Sequence, residues 1–570
     1  MIQRKIRGRR KRLRLPAMED RVLRHDRDGA VSGVRRSRQA SGAAAARWLI
    51  PAVVLALALA YFIDPNPRLD FSAFDTRDAE SYLALSQSLV AGRGYTRSLD
   101  PQFYVPHTTW PPGLPVLLSP FVALSGVPIN LLLIKLGMIA YGAAGILLAY
   151  LYARRMSRSP IVQLSVPFLL GLNPYYWQFS RMTDTEMPTI LWALVALLLA
   201  DIGWAKGQIR HGTALVFGLI AGFGMLIRGS FFGALFLPPV YILALRAEPS
   251  GMRRLWSRYL AYVAGFLAPF FAWTIRNSFI DARALGQDGI NQFAMIFRTL
   301  PVDPASPLRT LSQMLSDMGA TIAGSVIFQI PKSLVPGLWS PAAWDHLGVA
   351  AAPVALALSA AAIIVSCLSC RNLPLIVLYG STAALNVFYA AGGMARLWVP
   401  VTCLIAISLP FGVEKIAAIG RHRAAAWSLT GVAAAALQLS LALYIVNHDR
   451  HPYRDPSYAA LADMFQTVRD HYHLDGNVLT PDPQAFGLYT GQKAPMSVPG
   501  IGVDPRYEYV ILPSVEWNED RLPGTLIVKN SVWSLVALRA PLRLAEFRAR
   551  YDCTRAAIPA MSVLTNCMIY

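Results

Sequence analysis

Charge is scarce in this 570-residue chain. Asp, Glu, Lys and Arg make up 15% of it, against roughly 25% in soluble domains. A soluble protein of this size cannot clothe its surface with so few ions, so most of the chain must be solvated by lipid. Cysteine is scarcer still: five residues exclude a disulfide scaffold. No motif repeats at 20 to 50 residues, which excludes a solenoid, and no pair of inverted repeats of the transporter kind is found. A glycine-rich nucleotide fingerprint is missing too. The one DxD, Asp26–Asp28, lies among arginines in the N-terminal tail and carries no chemistry there.

What is abundant is apolar sequence, 54% of residues. Crossing the hydrocarbon core takes about 20 apolar residues in a helix. Eleven stretches approach that length: 48–64, 129–153, 160–178, 187–203, 212–228, 230–246, 258–275, 347–368, 373–391, 397–414 and 425–446. The segment 113–126 is too short and too proline-rich, and reads as an interfacial or re-entrant helix. The chain is thus a polytopic α-helical membrane protein with about 11 transmembrane helices.

Positive charge orients it. Residues 1–47 hold 15 Lys and Arg against four acids, contributing +11 of the net +20. A basic tail abutting the first apolar stretch reads as a cytoplasmic anchor on anionic lipid, not as a nucleic-acid arm. With the tail inside, five short cytoplasmic loops carry Arg154, Arg155 and Arg158; Lys206 and Arg210; Arg246, Arg253, Arg254 and Arg258; Arg371; and Lys415, Arg421 and Arg423. All obey the positive-inside rule. The domains are then a basic tail (1–47), a membrane domain (48–446) with outer loops at 65–128 and 276–346, and an extracytoplasmic tail (447–570). That tail alternates a helical stretch (456–472) with short β-type runs (476–480, 507–512, 524–528), which predicts a small α/β domain. Cys553 and Cys567 fall within it and can pair as a disulfide.

Ionisable residues near span ends need a role, because a charge at the bilayer centre costs roughly 2.5 to 3.5 kcal/mol on insertion scales. The first outer loop opens with Asp75, Asp78 and Glu80, followed by an amphipathic run with Tyr82 and then His107. Asp78 at the head of a helix faces free amides that favour its ionised form, so it reads either as a cap or as a proton acceptor. At the outer ends of other spans stand Lys135, Arg181, Arg228, Arg276 and Arg396, with Asp184 and Glu186 beside Arg181. Cations gathered against the topological bias suggest an anionic ligand, and arginine suits phosphate.

The stretches DAESYLALSQSLVAGRGY, WPPGLPVLLSP, LNPYYWQFSRMTDTEMP, MLIRG, WTIRN and RLWVP together resemble the GT-C superfamily of membrane glycosyltransferases over roughly residues 48–412. Within it, the protein O-mannosyltransferases and lipid A aminoarabinose transferases (glycosyltransferase family 39 type) are the most alike. The resemblance implies a polyprenyl-phosphate sugar donor, a lipid, glycan or protein acceptor, and an acid in the first outer loop acting as base. Asp78 matches that acid. Lys135 stands where many relatives have arginine, and either Asp184 or Glu186 fits the second acidic motif. Trp110 replaces a histidine found before paired prolines in relatives, which leaves His107 three residues upstream.

Together these readings predict an inverting membrane glycosyltransferase at the extracytoplasmic face. Asp78 is catalytic, and Lys135, Arg228, Arg276 and Arg396 bind the donor phosphate. Glu80, Tyr82, His107, Arg181, Asp184 and Glu186 support them. No cofactor is expected; a divalent ion on Asp78, Glu80, His107 or Glu186 is the alternative to a metal-free site. The rival readings are a lipid-linked glycan ligase or polymerase and a secondary transporter.

Overall fold

A computed structural model describes residues 48–63, 78–97, 104–126, 128–205, 207, 209–244, 249–280, 297–299, 306–334, 351–388, 395–419, 456–481, 483–494, 505–514, 523–543 and 546. By contacts the chain divides into Met1–Val53 and Val54–Tyr570. The basic tail 1–47, the eleventh apolar stretch 425–446, and Cys553 and Cys567 lie outside the described residues.

The helices that position the site are α1 (Trp48–Ala60), α2 (Asp78–Val90), α3 (Gly113–Ser125), α4 (Leu131–Met156), α5 (Pro160–Gly171), α6 (Glu186–Trp204), α7 (His211–Ile227), α8 (Pro249–Ser278), α9 (Leu311–Gly324), α10 (Ala351–Cys367), α11 (Leu373–Phe388) and α12 (Ala395–Ile419). Among the described residues, three helices are long and apolar enough to cross a membrane: Leu131–Met156, Glu186–Trp204 and Arg396–Ala418. The pair Ala352–Cys367 and Cys370–Phe388, bent by 95°, makes a fourth if taken as one span.

Shorter apolar helices stand at Trp48–Ala60, Gly113–Ser125, Pro160–Gly171 and His211–Ile227, and the stretch 258–275 lies within the 30-residue α8. The stretch 160–178 breaks at Leu172 and Asn173, where the Asn173 side chain caps a new turn, Pro174–Phe179. Prolines at its first position suit that restart. The expected outer segment 276–346 is also more than a loop. It contains α9, capped by Thr310, and a following turn whose Ser333 carbonyl accepts a bond of 3.2 Å from Asn173 Nδ2.

Sidedness is internally consistent. At one end of the bundle Arg155 pairs with Asp201, Ser157 donates to Glu414 (2.7 Å), and Arg371 pairs with Glu414 (2.9 Å). At the other end of α4, α6 and α12 lie Lys135, Glu186 and Arg396. Arg155 and Arg371, from two of the basic loops, and the acidic motifs therefore occupy opposite ends.

Helices α7 and α8 pack closely because glycines remove the obstacle between them. A Cβ on Gly218 or Gly222 would run into the carbonyls of Tyr262 or Phe266, and one on Gly265 into that of Leu215. Small residues that let backbones approach are the usual glue between membrane helices. This contact fixes Arg228, just past α7, relative to Arg276 near the end of α8. Gly222→Val is expected to cost about 1–3 kcal/mol by overpacking, read as a lower melting temperature in detergent.

The C-terminal segment forms a four-stranded sheet of order β1-β2-β4-β3: β1 Val478–Leu479, β2 Arg506–Pro513, β3 Gly524–Lys529 and β4 Trp533–Arg543. Strand β1 runs parallel to β2, and the other pairs are antiparallel, with bulges at Tyr507/Tyr509 and Leu526/Val528. Leu479, Tyr507, Val510, Leu512, Val536 and Leu542 form its core. Two helices accompany it, α13 (Pro456–His471) and α14 (Pro483–Thr490). Phe465 lies edge-on to Phe486 (5.3 Å) and Tyr489 (6.2 Å), and both aromatics are buried in the core. Helix α14 packs against α2, and Ile129 N donates to Leu488 O (3.3 Å), so this domain abuts the helix that begins with Asp78.

Candidate functional site

Asp78 opens α2, and Arg396 stands at the head of α12, 318 positions later in the chain. Folding joins them. Arg396 Nη1 lies 2.7 Å from Asp78 Oδ2 and 3.1 Å from Asp184 Oδ2, so one guanidinium bridges two carboxyl groups. Asp184 sits in the turn before α6, where its Oδ1 also accepts the Thr185 amide (2.7 Å). Glu186 is the first residue of α6, a place where an acid complements the helix dipole. Its Oε1 pairs with Arg228 Nη1 at 2.8 Å, and Arg228 also donates to Thr185 Oγ1 (3.3 Å). All five charged residues are largely buried: Asp78 is 8% exposed and Glu186 1%.

Burial pushes the Asp78 carboxyl up from its ordinary value, and Asp184 adds to this, while Arg396 opposes it. The helix amides expected to favour ionisation are thus outweighed by desolvation. Asp184 is raised further, to about 7, chiefly by burial and by the charge of Glu186.

A second cluster adjoins the first. Arg276 Nη1 donates to His107 O (2.6 Å) and Asn277 Oδ1 (2.8 Å), and its guanidinium lies 4.9 Å from the Trp273 ring centre and 5.6 Å from that of Tyr95. These partners are all neutral. Tyr95 holds the loop by donating to Trp110 O (2.8 Å), and Tyr82, one turn beyond Asp78, stacks on Trp110 at 5.9 Å. Tyr82 also feels the charges of Asp78 and Asp184 and so connects the clusters. Glu80 is buried on α2, about 200° around the helix from Asp78.

The remaining expected residues form a third group. Lys135, buried in α4, donates to Arg181 O (2.5 Å). Arg181 donates to Tyr61 O (2.9 Å) and Ile63 O (3.1 Å), just past α1, and lies over Trp177 at 3.5 Å. It serves these carbonyls and those of its own helical turn.

The four cations expected to grip a phosphate have different partners in the structure. Arg228 and Arg396 have carboxylate partners, Lys135 lies with Arg181, and Arg276 lies with the aromatics. Among the described residues, no group of three His, Cys, Asp or Glu is placed to hold a metal ion. His107 Nε2 accepts the Trp110 amide (2.9 Å), so a neutral ring carries its proton on Nδ1. Thr185, Tyr95 and Asn277 were not singled out in the sequence. Thr185 and Asn277 lie inside the motifs TDTE and WTIRN, and that adjacency was the only available signal.

Residues 109–275 match the family model described as dolichyl-phosphate-mannose-protein mannosyltransferase. The match spans Lys135, Asp184, Glu186 and Arg228 and leaves out Asp78, Arg276 and Arg396. No curated protein sequence matches the chain. Among solved structures, ArnT from Cupriavidus metallidurans bound to undecaprenyl phosphate aligns with a TM-score of 0.51 at 12% identity, covering 86% of this chain and 97% of that one. Its apo state gives 0.49 at 12%, covering 88% and 98%. The arabinosyltransferase EmbB from Mycobacterium smegmatis gives 0.30 at 15%, covering 70% and 41%, too loose a likeness to build on. At such identity the ArnT likeness is one of fold. In fold over most of its length and in family match over its middle, the chain resembles the GT-C superfamily of membrane glycosyltransferases.

Proposed function

We propose that the protein moves a single sugar from a polyprenyl-phosphate donor to a lipid, glycan or protein acceptor at the extracytoplasmic face of the membrane, with inversion. The observation that carries this reading is the buried pairing of Asp78 with Arg396 at the bundle end opposite the basic loops. By the positive-inside rule that end faces outward. The undecaprenyl phosphate named in the ArnT complex supports a lipid-phosphate donor.

In this mechanism Asp78 takes the proton from the acceptor hydroxyl as its oxygen attacks the anomeric carbon. The bond from that carbon to the phosphate oxygen breaks, and polyprenyl phosphate leaves with the electron pair. Arg276 is the first choice for stabilising the departing phosphate, because its partners in the structure are neutral and its charge is uncompensated by a carboxylate. Lys135 is the second cation for this task, while Arg228 and Arg396 tune the acids.

The direct test is transfer of labelled sugar from a polyprenyl-phosphate donor in proteoliposomes. A hydrogen bond to a charged group is worth about 1.5–3 kcal/mol, so Arg276→Ala is expected to raise the donor KM about tenfold or more, with a smaller change in kcat. Arg276→Lys keeps the charge and should fall between.

A further inference from the structure

The cluster of Asp78, Asp184, Glu186, Arg228 and Arg396 brings three carboxyl groups onto two guanidinium groups. It also contains one oxygen without a donor. Glu186 Oε1 is taken by Arg228, but Glu186 Oε2 is buried with no hydrogen-bond donor against it. A buried carboxylate oxygen left without a donor is costly. Asp184 stands two positions before Glu186 in the same buried cluster, and the charge of Glu186 acts on it. A carboxylate can accept a proton but cannot donate one, so two ionised groups in that relation repel, whereas one proton between them gives Glu186 Oε2 its missing donor.

We propose that Asp184 carries a proton that it donates to Glu186 Oε2, which makes Asp184 a positioning residue that leaves the Arg396 charge to Asp78. Resting on the proposed role of Asp78 as base, this assigns different tasks to the two acids of the TDTE motif. Glu186 is the ionised partner of Arg228, and Asp184 is the neutral spacer between Glu186 and Arg396. The groups facing Asp184 are Asp78 from α2, Glu186 from α6, Arg396 from α12, Arg228 just past α7, and Tyr82 on α2 through its sensitivity to the Asp184 charge. Losing the proton puts a second negative charge beside Arg396 and divides its attraction between two carboxylates.

The rise of Asp184 to about 7 agrees with this assignment. The native state then keeps a proton that the unfolded chain releases at lower pH. Stability from this group is lost as pH rises from the ordinary carboxylate range towards neutrality.

The test uses the full-length protein and the isosteric amides Asp184→Asn and Glu186→Gln. An amide at 184 imitates the protonated acid, so Asp184→Asn should retain transfer within a few-fold and lose the fall in activity on the alkaline side. Glu186→Gln leaves Arg228 without its anion and should lower transfer at least tenfold. The infrared C=O band of a buried protonated carboxyl should be present near neutral pH in the wild type, vanish at alkaline pH, and be missing in Asp184→Asn. A folded Asp184→Asn protein that loses transfer by a hundredfold, or a wild type without the band, overturns the proposal. Asp78→Asn separates this from the underlying reading: if that variant transfers normally, the base assignment fails whether or not the band is seen.

Discussion

Asp78→Asn should lower sugar transfer by about 10²- to 10⁴-fold, the usual contribution of a general base, while donor affinity stays near that of the wild type. The amide keeps the shape of the side chain and its contact with Arg396 through the carbonyl oxygen, so loss of turnover with intact folding isolates the proton-accepting role. The pH profile carries the same information. Because the base must be ionised, wild-type transfer rises with pH, and because burial pushes Asp78 up, the rise should come above the ordinary carboxylate range. Asp78→Asn should abolish that rise in its residual activity. Rates measured across pH in proteoliposomes, with donor binding measured separately, check both points.

Arg396→Ala is expected to be as damaging for a different reason. It removes the charge between two buried carboxyl groups and leaves both facing each other in a desolvated site. Breaking a buried ion pair by deleting one partner costs about 3–5 kcal/mol, because the other charge stays uncompensated. The variant should melt earlier in detergent and give little transfer. Since Arg396 draws the Asp78 carboxyl down, its loss should move the acid limb of residual activity further up. Asp184 is already neutral in the proposed state, so adding Asp184→Asn should restore little of the lost stability, and the coupling that a double-mutant cycle measures between the two positions should be small. Arg396→Lys keeps the charge but not the planar fork, and should fall short of the wild type.

The parts of this architecture that depend on local pattern were legible in the sequence. Helix 113–125 was readable from its length and prolines, the α/β domain from its β-type runs, and the position of Asp78 at a helix start from spacing. The basic ends were readable from composition, and Arg155, Arg371 and their partners do meet at one end of the bundle. The parts that depend on long-range contact were not legible. Spacing marks Arg228 and Arg396 as cations at span ends, but only the fold shows that each meets an acid 42 or 212 positions away. The same limit hid Tyr95, whose aromatic ring matters only because Arg276 lies against it. An apolar stretch also does not say where a helix breaks, as 160–178 does at Leu172 and Asn173. Strand β4 and helix α14 lie outside the runs marked in the sequence, and α14 is the one that touches the Asp78 helix.

The most direct test is a single-turnover transfer experiment. Wild-type protein and Asp78→Asn, each preloaded in proteoliposomes with polyprenyl-phosphate sugar labelled in the sugar, are mixed with a cell-envelope extract as the acceptor source. The account predicts that in the wild type the label leaves the lipid for a new product with the opposite anomeric configuration, whereas Asp78→Asn holds the donor intact. Equal transfer by both proteins, or a wild type whose bound donor never gives up its sugar, would contradict it.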